Sequence, residues 1–172
     1  MTAEIPPKGF KPLVNSEKSL PADARQIGPV DPRERLEVSV YLRAPNASDP
    51  AGDSQFHAQR PGQRMSREEY LADYGADYDD VAKVTAFAQK HALTVVQTDI
   101  ATRKVVLAGT ARAMMTAFAT DLQRYEYQGS TFRGRSVYLH VPDELDQIVV
   151  GVFGLDKRPQ AHSHVLYYTP LA

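Results

Sequence analysis

The feature that most constrains this chain is a change of apolar period, repeated in a fixed order from Leu36 to Asp121: strand, helix, strand, strand, helix, strand. Leu36, Val38, Val40 and Leu42 alternate with Glu37, Ser39, Tyr41 and Arg43, the period-two pattern of a half-buried strand. Ser66 followed by Glu69 matches a capping box, so a short helix starts there and Gly75 breaks it. Asp77 suits the cap of a second helix to about His91, with Val81, Val84, Phe87 and Ala88 on one face. Leu93–Asp99 and Arg103–Gly109 are two β-rich runs separated by a short connection, which predicts a hairpin. Thr110 caps the next helix, where Ala111, Met114, Met115 and Phe118 fall at helical spacing as core filling. Asp121–Tyr127 reads as the fourth strand. Gly129 and Ser130 then turn the chain so that Thr131–Arg133 can pair back on it.

The βαββαβ order predicts an α+β, ferredoxin-like sandwich: an antiparallel sheet with its helices on one face. An extra C-terminal helix is expected after it, with Pro142 in its first turn, Leu145, Ile148, Val149 and Val152 on its buried face, and Gly154 at its end. Pro6, Pro7, Pro12, Pro21, Pro29 and Pro32 interrupt any regular period, so residues 1–34 are expected as an extended or disordered arm. Residues 35–156 form the domain, with 44–65 as a long surface loop, and 157–172 are linker. The sheet face opposite the helices stays available for a partner. Apolar groups left on such a face mark interfaces.

Composition narrows the function classes. Lys+Arg 20 against Asp+Glu 21 gives a net charge of −1, without the basic excess of a nucleic-acid binder. No apolar run of about 18 residues is present to span a membrane, and the N-terminus lacks the apolar core of a signal peptide. The absence of Cys removes disulfides, thiolate metal sites and Cys nucleophiles.

No catalytic constellation, cofactor motif or metal set emerges from the remaining residues. Ser130, Ser136 and Ser163 are lone hydroxyls without a nucleophile elbow, and Gly129–Gly134 lacks the ending of a P-loop. Asp79-Asp80 and Asp143-Glu144-Asp146 fall in first turns of expected helices, where negative charge suits the dipole. His91 is expected near a helix C-terminus, where positive charge is welcome, and His57 in a loop. Arg133-Gly-Arg135 reads as a solvated turn, with contact to a partner as the other reading. His162-Ser-His164 fits a solvated pair better than a metal pair.

Several ordered segments carry a family likeness. They are the first strand Val38–Arg43; Tyr70 and Tyr74-Gly-Ala; Val81, Phe87-Ala, His91 and Leu93-Thr-Val; Val106-Leu-Ala-Gly109; Phe118 and Tyr125; and Val141-Pro142, Val149-Val-Gly-Val-Phe-Gly-Leu-Asp156 and Arg158-Pro159. Together, over about residues 35–160, this set resembles the pro-domain of sedolisin-type serine-carboxyl peptidases, the kumamolisin group in particular. Tyr168-Thr-Pro-Leu171 looks like the start of the peptidase domain that follows in such precursors.

The resemblance implies a non-catalytic pro-region that acts as intramolecular chaperone and inhibitor of its own peptidase domain, secreted as part of a precursor and released by autocleavage in acid. No catalytic residue, cofactor or metal ligand of the family carries over onto this chain. Docking is expected through the open sheet face, with Tyr41, Val106 and Tyr125 contributing, and self-association through that face is compatible with it. Processing is expected in the exposed segment that includes Arg158, His162, His164 and Val165, first near His164–Val165. The rival reading is a free-standing ferredoxin-like module that binds a small ligand or regulates a partner. A small enzyme on this fold would need a Gly-rich anion loop after the first strand, which residues 44–65 do not supply.

Overall fold

The structure, a computed structural model, describes residues 6–45 and 66–158. Among the described residues nine strands and three α-helices follow the order β1 (Phe10–Pro12), β2 (Arg25–Pro29), β3 (Arg35–Leu42), α1 (Arg67–Tyr74), α2 (Tyr78–Lys90), β4 (Thr94–Asp99), β5 (Lys104–Thr110), α3 (Ala111–Ala117), β6 (Gln123–Tyr127), β7 (Ser130–Gly134), β8 (His140–Pro142) and β9 (Val149–Phe153). The principal sheet has the order β4-β5-β3-β9 and is antiparallel throughout. With α2 and α3 packed on one face, this is the α+β, ferredoxin-like arrangement.

Register explains the burial. Val38 pairs with Leu107 and Val40 with Val105 across β3 and β5, and all four are 0–1% exposed. They meet Val84, Phe87 and Ala88 of α2 and Ala111, Met114 and Ala117 of α3 in a single apolar cluster. Phe87 and Phe118 bridge the two helices with ring centroids 5.6 Å apart.

Local chemistry sets the boundaries. The Ser66 hydroxyl accepts from the Glu69 amide at 3.1 Å while the Glu69 carboxylate accepts from the Ser66 amide at 2.8 Å, a complete capping box on α1. Asp77 caps α2 through the Asp79 amide and Thr110 caps α3 through the Ala113 amide. Gln128 and Gly129, between β6 and β7, both have positive φ (49° and 74°), as a tight two-residue hairpin requires.

The C-terminal half departs from the expectation. Asp121–Tyr127 does not join the principal sheet; β6 lies in a separate sheet of order β2-β6-β7. The fourth strand is β9, in the stretch expected to be a helix. Pro142 ends β8, Asp143–Leu145 makes one 3₁₀ turn, and Gln147 at φ 65° breaks any continuation. Val149 and Val152 both face inward because a bulge places Val150 between them: Leu42 pairs with Val149, but Tyr41 pairs with Gly151. The bulge thus turns strand alternation into a spacing of three, which in sequence imitates a helix.

The segment expected as an arm is extended in part and lies against its own chain. β1 pairs with β8 and β2 with β6, while Leu13 and Val30 are 6% and 2% exposed within the core. Most of the expected 44–65 loop, residues 46–65, lies outside the described residues.

Truncating Leu107 to Ala should lower unfolding free energy by about 2–5 kcal/mol, because the cavity opens between sheet and helices. Val106→Ala, one residue along and half-buried on the other face, should cost much less. Urea denaturation of both variants checks the contrast.

Candidate interaction surface

The face of the principal sheet opposite α2 and α3 carries Ser39 and Tyr41 from β3, Val106 from β5 and Phe153 from β9. Ser39 sits between Val106 and Phe153, and Tyr41 between Lys104 and Gly151. The Tyr41 and Phe153 rings meet edge-to-face, with centroids 5.6 Å apart and planes at 84°. Gly151 makes room for this: a Cβ there would lie 2.8 Å from the Phe153 ring. Phe153 is nevertheless 60% exposed, and the bulge residue Val150 of the same strand 55%. On β4, at the far edge of the sheet, Val96 is 54% exposed. Glu37, Asp99 and Lys104 put charges of both signs around the apolar centre. A face of this kind, apolar in the middle and polar at its rim, suits burial against another protein.

Two of the three residues expected to dock, Tyr41 and Val106, therefore share one face. Tyr125 does not. It lies on β6 in the other sheet, is 3% exposed and stacks on Phe132 with centroids 5.5 Å apart. Its place follows from β6 not being the fourth strand. Phe153, the most exposed aromatic of the face, was hidden in sequence by the helical spacing around it; the β-branched run Val149-Val-Gly-Val was the available signal.

The charged motifs also find partners. Asp80, 2% exposed, accepts from the Arg43 guanidinium at 2.8 and 3.3 Å, with Lys83 at 3.7 Å. Asp146 pairs with Lys11 at 2.7 Å. Among the described residues no group of three or more His, Asp or Glu converges as a metal site.

Arg133-Gly-Arg135 is not a solvated turn: the two arginines are 7% and 3% exposed. Arg133 pairs with Glu34 and donates to the carbonyls of Leu155 (2.8 Å) and Gly154 (3.0 Å). Arg135 donates to the Val137 carbonyl, its Nε is buried without a partner among the described residues, and burial pulls its pKa down. Arg158 is likewise held rather than free in an exposed linker, pairing with Asp156 at 2.7 Å. The other residues of the expected processing region, His162, His164 and Val165, lie outside the described residues, as does His57.

A match to the family model "Pro-kumamolisin, activation domain" spans residues 22–158. The chain is 32% identical to kumamolisin of Bacillus sp. (strain MN-32) over 144 residues, which is 80% of this chain and 25% of that protein. It is 28% identical to sedolisin of Pseudomonas sp. (strain 101) over 131 residues, 76% of this chain and 21% of that protein. The chain thus spans about a quarter of the length of these relatives.

His91, at the C-terminal end of α2, packs on Phe87 with ring centroids 4.7 Å apart. Burial lowers its pKa, Lys90 adds to this, and Glu144 opposes it. Because the folded value lies below the unfolded one, the unfolded chain takes up the proton first. The contribution is intact above the unfolded value of about 6.5 and is lost as pH falls toward the folded value. His91→Asn should therefore flatten the loss of thermal stability between about pH 7.5 and pH 5.5, as read by melting temperature at each pH.

With the open sheet, the helices on its other face and a family match covering most of the domain, the chain belongs to the pro-kumamolisin activation domain family.

Proposed function

We propose that this chain is the pro-region of a secreted, acid-acting sedolisin-type peptidase, and that it docks on the peptidase domain through the open sheet face. Docking assists the folding of that domain and holds it inactive until the segment after the pro-region is cut in acid. The observation that carries this reading is the solvent-facing Tyr41–Phe153 pair with Val106 beside it, apolar surface on a sheet whose other face is fully occupied. Family membership supports the identity of the partner.

The physical logic runs through contact order. A large domain rich in nonlocal strand pairing folds slowly, and a separately folded domain that binds its native-like state stabilises that state by mass action. The same contact can cover the cleft. While pro-region and peptidase share one chain, the effective concentration of a short flexible tether is on the order of mM, and cleavage removes that advantage.

Titrating the purified chain into the mature peptidase of the same precursor tests the proposal, with peptide hydrolysis followed at about pH 4 and about pH 7, where carboxylates and His change charge. Inhibition at neutral pH that fades in acid is the expected result. Phe153→Ala should weaken inhibition by about 2 kcal/mol, roughly 30-fold, while melting temperature changes little because the ring is largely exposed. A folded chain that inhibits at neither pH removes the inhibitory role and leaves the folding role to refolding assays.

A further inference from the structure

Three arginines and two carboxylates gather where the described chain ends. Arg133 spans the gap between sheets: its side chain pairs with Glu34 ahead of β3 and donates to the carbonyls of Gly154 and Leu155 just after β9. Its own carbonyl accepts from the Lys157 amide at 2.8 Å. One residue on, Asp156 accepts from the Arg158 amide at 2.8 Å and from the Arg158 guanidinium at 2.7 and 3.3 Å. The same guanidinium reaches the Arg135 carbonyl at 3.1 Å and the carbonyl of Ser19 in the N-terminal segment. The side chains of Asp156 and Arg158 are only 10% and 11% exposed. Leu155, just before them, is 1% exposed in the core, and Gly154, at φ 107°, passes so close to β3 that a Cβ would lie 2.6 Å from the Glu37 carbonyl.

We infer that residues 154–158 are a clasp, with Arg158 as its pin, that fixes where and in what direction the chain leaves the domain. A free linker would not spend this many hydrogen bonds on five residues. The cost is visible as well. Arg135 lies beside Arg158 in a buried setting where the shared carboxylate is Asp156, and its Nε goes unpaired among the described residues. Among the described residues three guanidinium groups face two carboxylates, Glu34 and Asp156, an arrangement that serves position better than net stability. The planar fork of Arg158 matters because it satisfies Asp156 and two backbone carbonyls at once, which an ammonium cannot reproduce. On the proposed pro-region reading, the clasp is a positioning device that sets the starting point of the segment to be cut. The clasp itself does not depend on that reading.

Amide hydrogen exchange on the purified chain, resolved by residue, tests it. The Lys157 and Arg158 amides should be protected in the parent protein. Arg158→Gln and Asp156→Asn should each speed their exchange by about tenfold or more while the β3 and β5 amides keep their protection. If a variant also exposes β5, Arg158→Lys takes its place, keeping the charge but losing the fork, and should still speed exchange at Lys157. The exchanged pair D156R/R158D restores opposite charges but not the bonds to Ser19 and Arg135, so it should remain fast. An unprotected Lys157 amide in the parent, protection that survives both single variants, or full recovery in the exchanged pair would each overturn the clasp. None of these results bears on peptidase inhibition, so the two ideas fail separately.

Discussion

The pairing of β3 with β5 is the constraint on which the other parts depend. Val38 opposite Leu107 and Val40 opposite Val105 place four aliphatic side chains on the helix side of the sheet. The same register sends Ser39, Tyr41 and Val106 to the other side. A slip of one residue would expose the core set and bury Glu37 and Lys104, so register is specified strongly by burial. The closed face and the open face are two consequences of one alignment.

Charge pairs fasten the layers laid down by that alignment. Arg43 at the end of β3 holds Asp80 in the first turn of α2, and Arg133 joins the second sheet to residues flanking β3 and β9. Ion pairs with one partner buried and the other partly exposed contribute modestly to net stability, because desolvation of the buried partner offsets much of the attraction. Their geometry is selective, however, and each links elements distant in sequence. Arg133, through the Gly154 and Leu155 carbonyls, anchors the chain just after β9, whose pairing with β3 puts Phe153 on the open face.

The function proposed here follows from that asymmetry. The helix-covered face supplies a buried core of its own, while the bare face supplies a surface for another domain. Arg158, the last described residue, is held by Asp156 and by the carbonyls of Ser19 and Arg135, so the edge of the described domain is tied to the same frame as the open face. That arrangement suits a segment that must bind a neighbour in a defined orientation and later be separated from it.

The sequence by itself determined β3, the hairpin of β4 and β5, the capping box at Ser66 and the caps at Asp77 and Thr110, because each rests on interactions within a few residues. Burial of Val84, Phe87, Ala88, Ala111 and Met114 was equally legible, since helical spacing points them to one side. The family likeness was carried by the order of such segments. Only the tertiary structure decided that Val149–Phe153 is the fourth strand and that Tyr125 is buried beneath neither helix but against Phe132. The bulge at Val150 gives β9 the spacing of a helix, and its choice of strand depends on pairing with Tyr41, more than a hundred residues earlier. The buried positions of Arg133, Arg135 and Arg158 were invisible for the same reason: their partners at Glu34, Ser19 and the carbonyls after β9 are brought near by the fold alone. Short-range hydrogen bonding and periodicity are written in sequence, whereas the partners of an edge strand or a buried guanidinium are not.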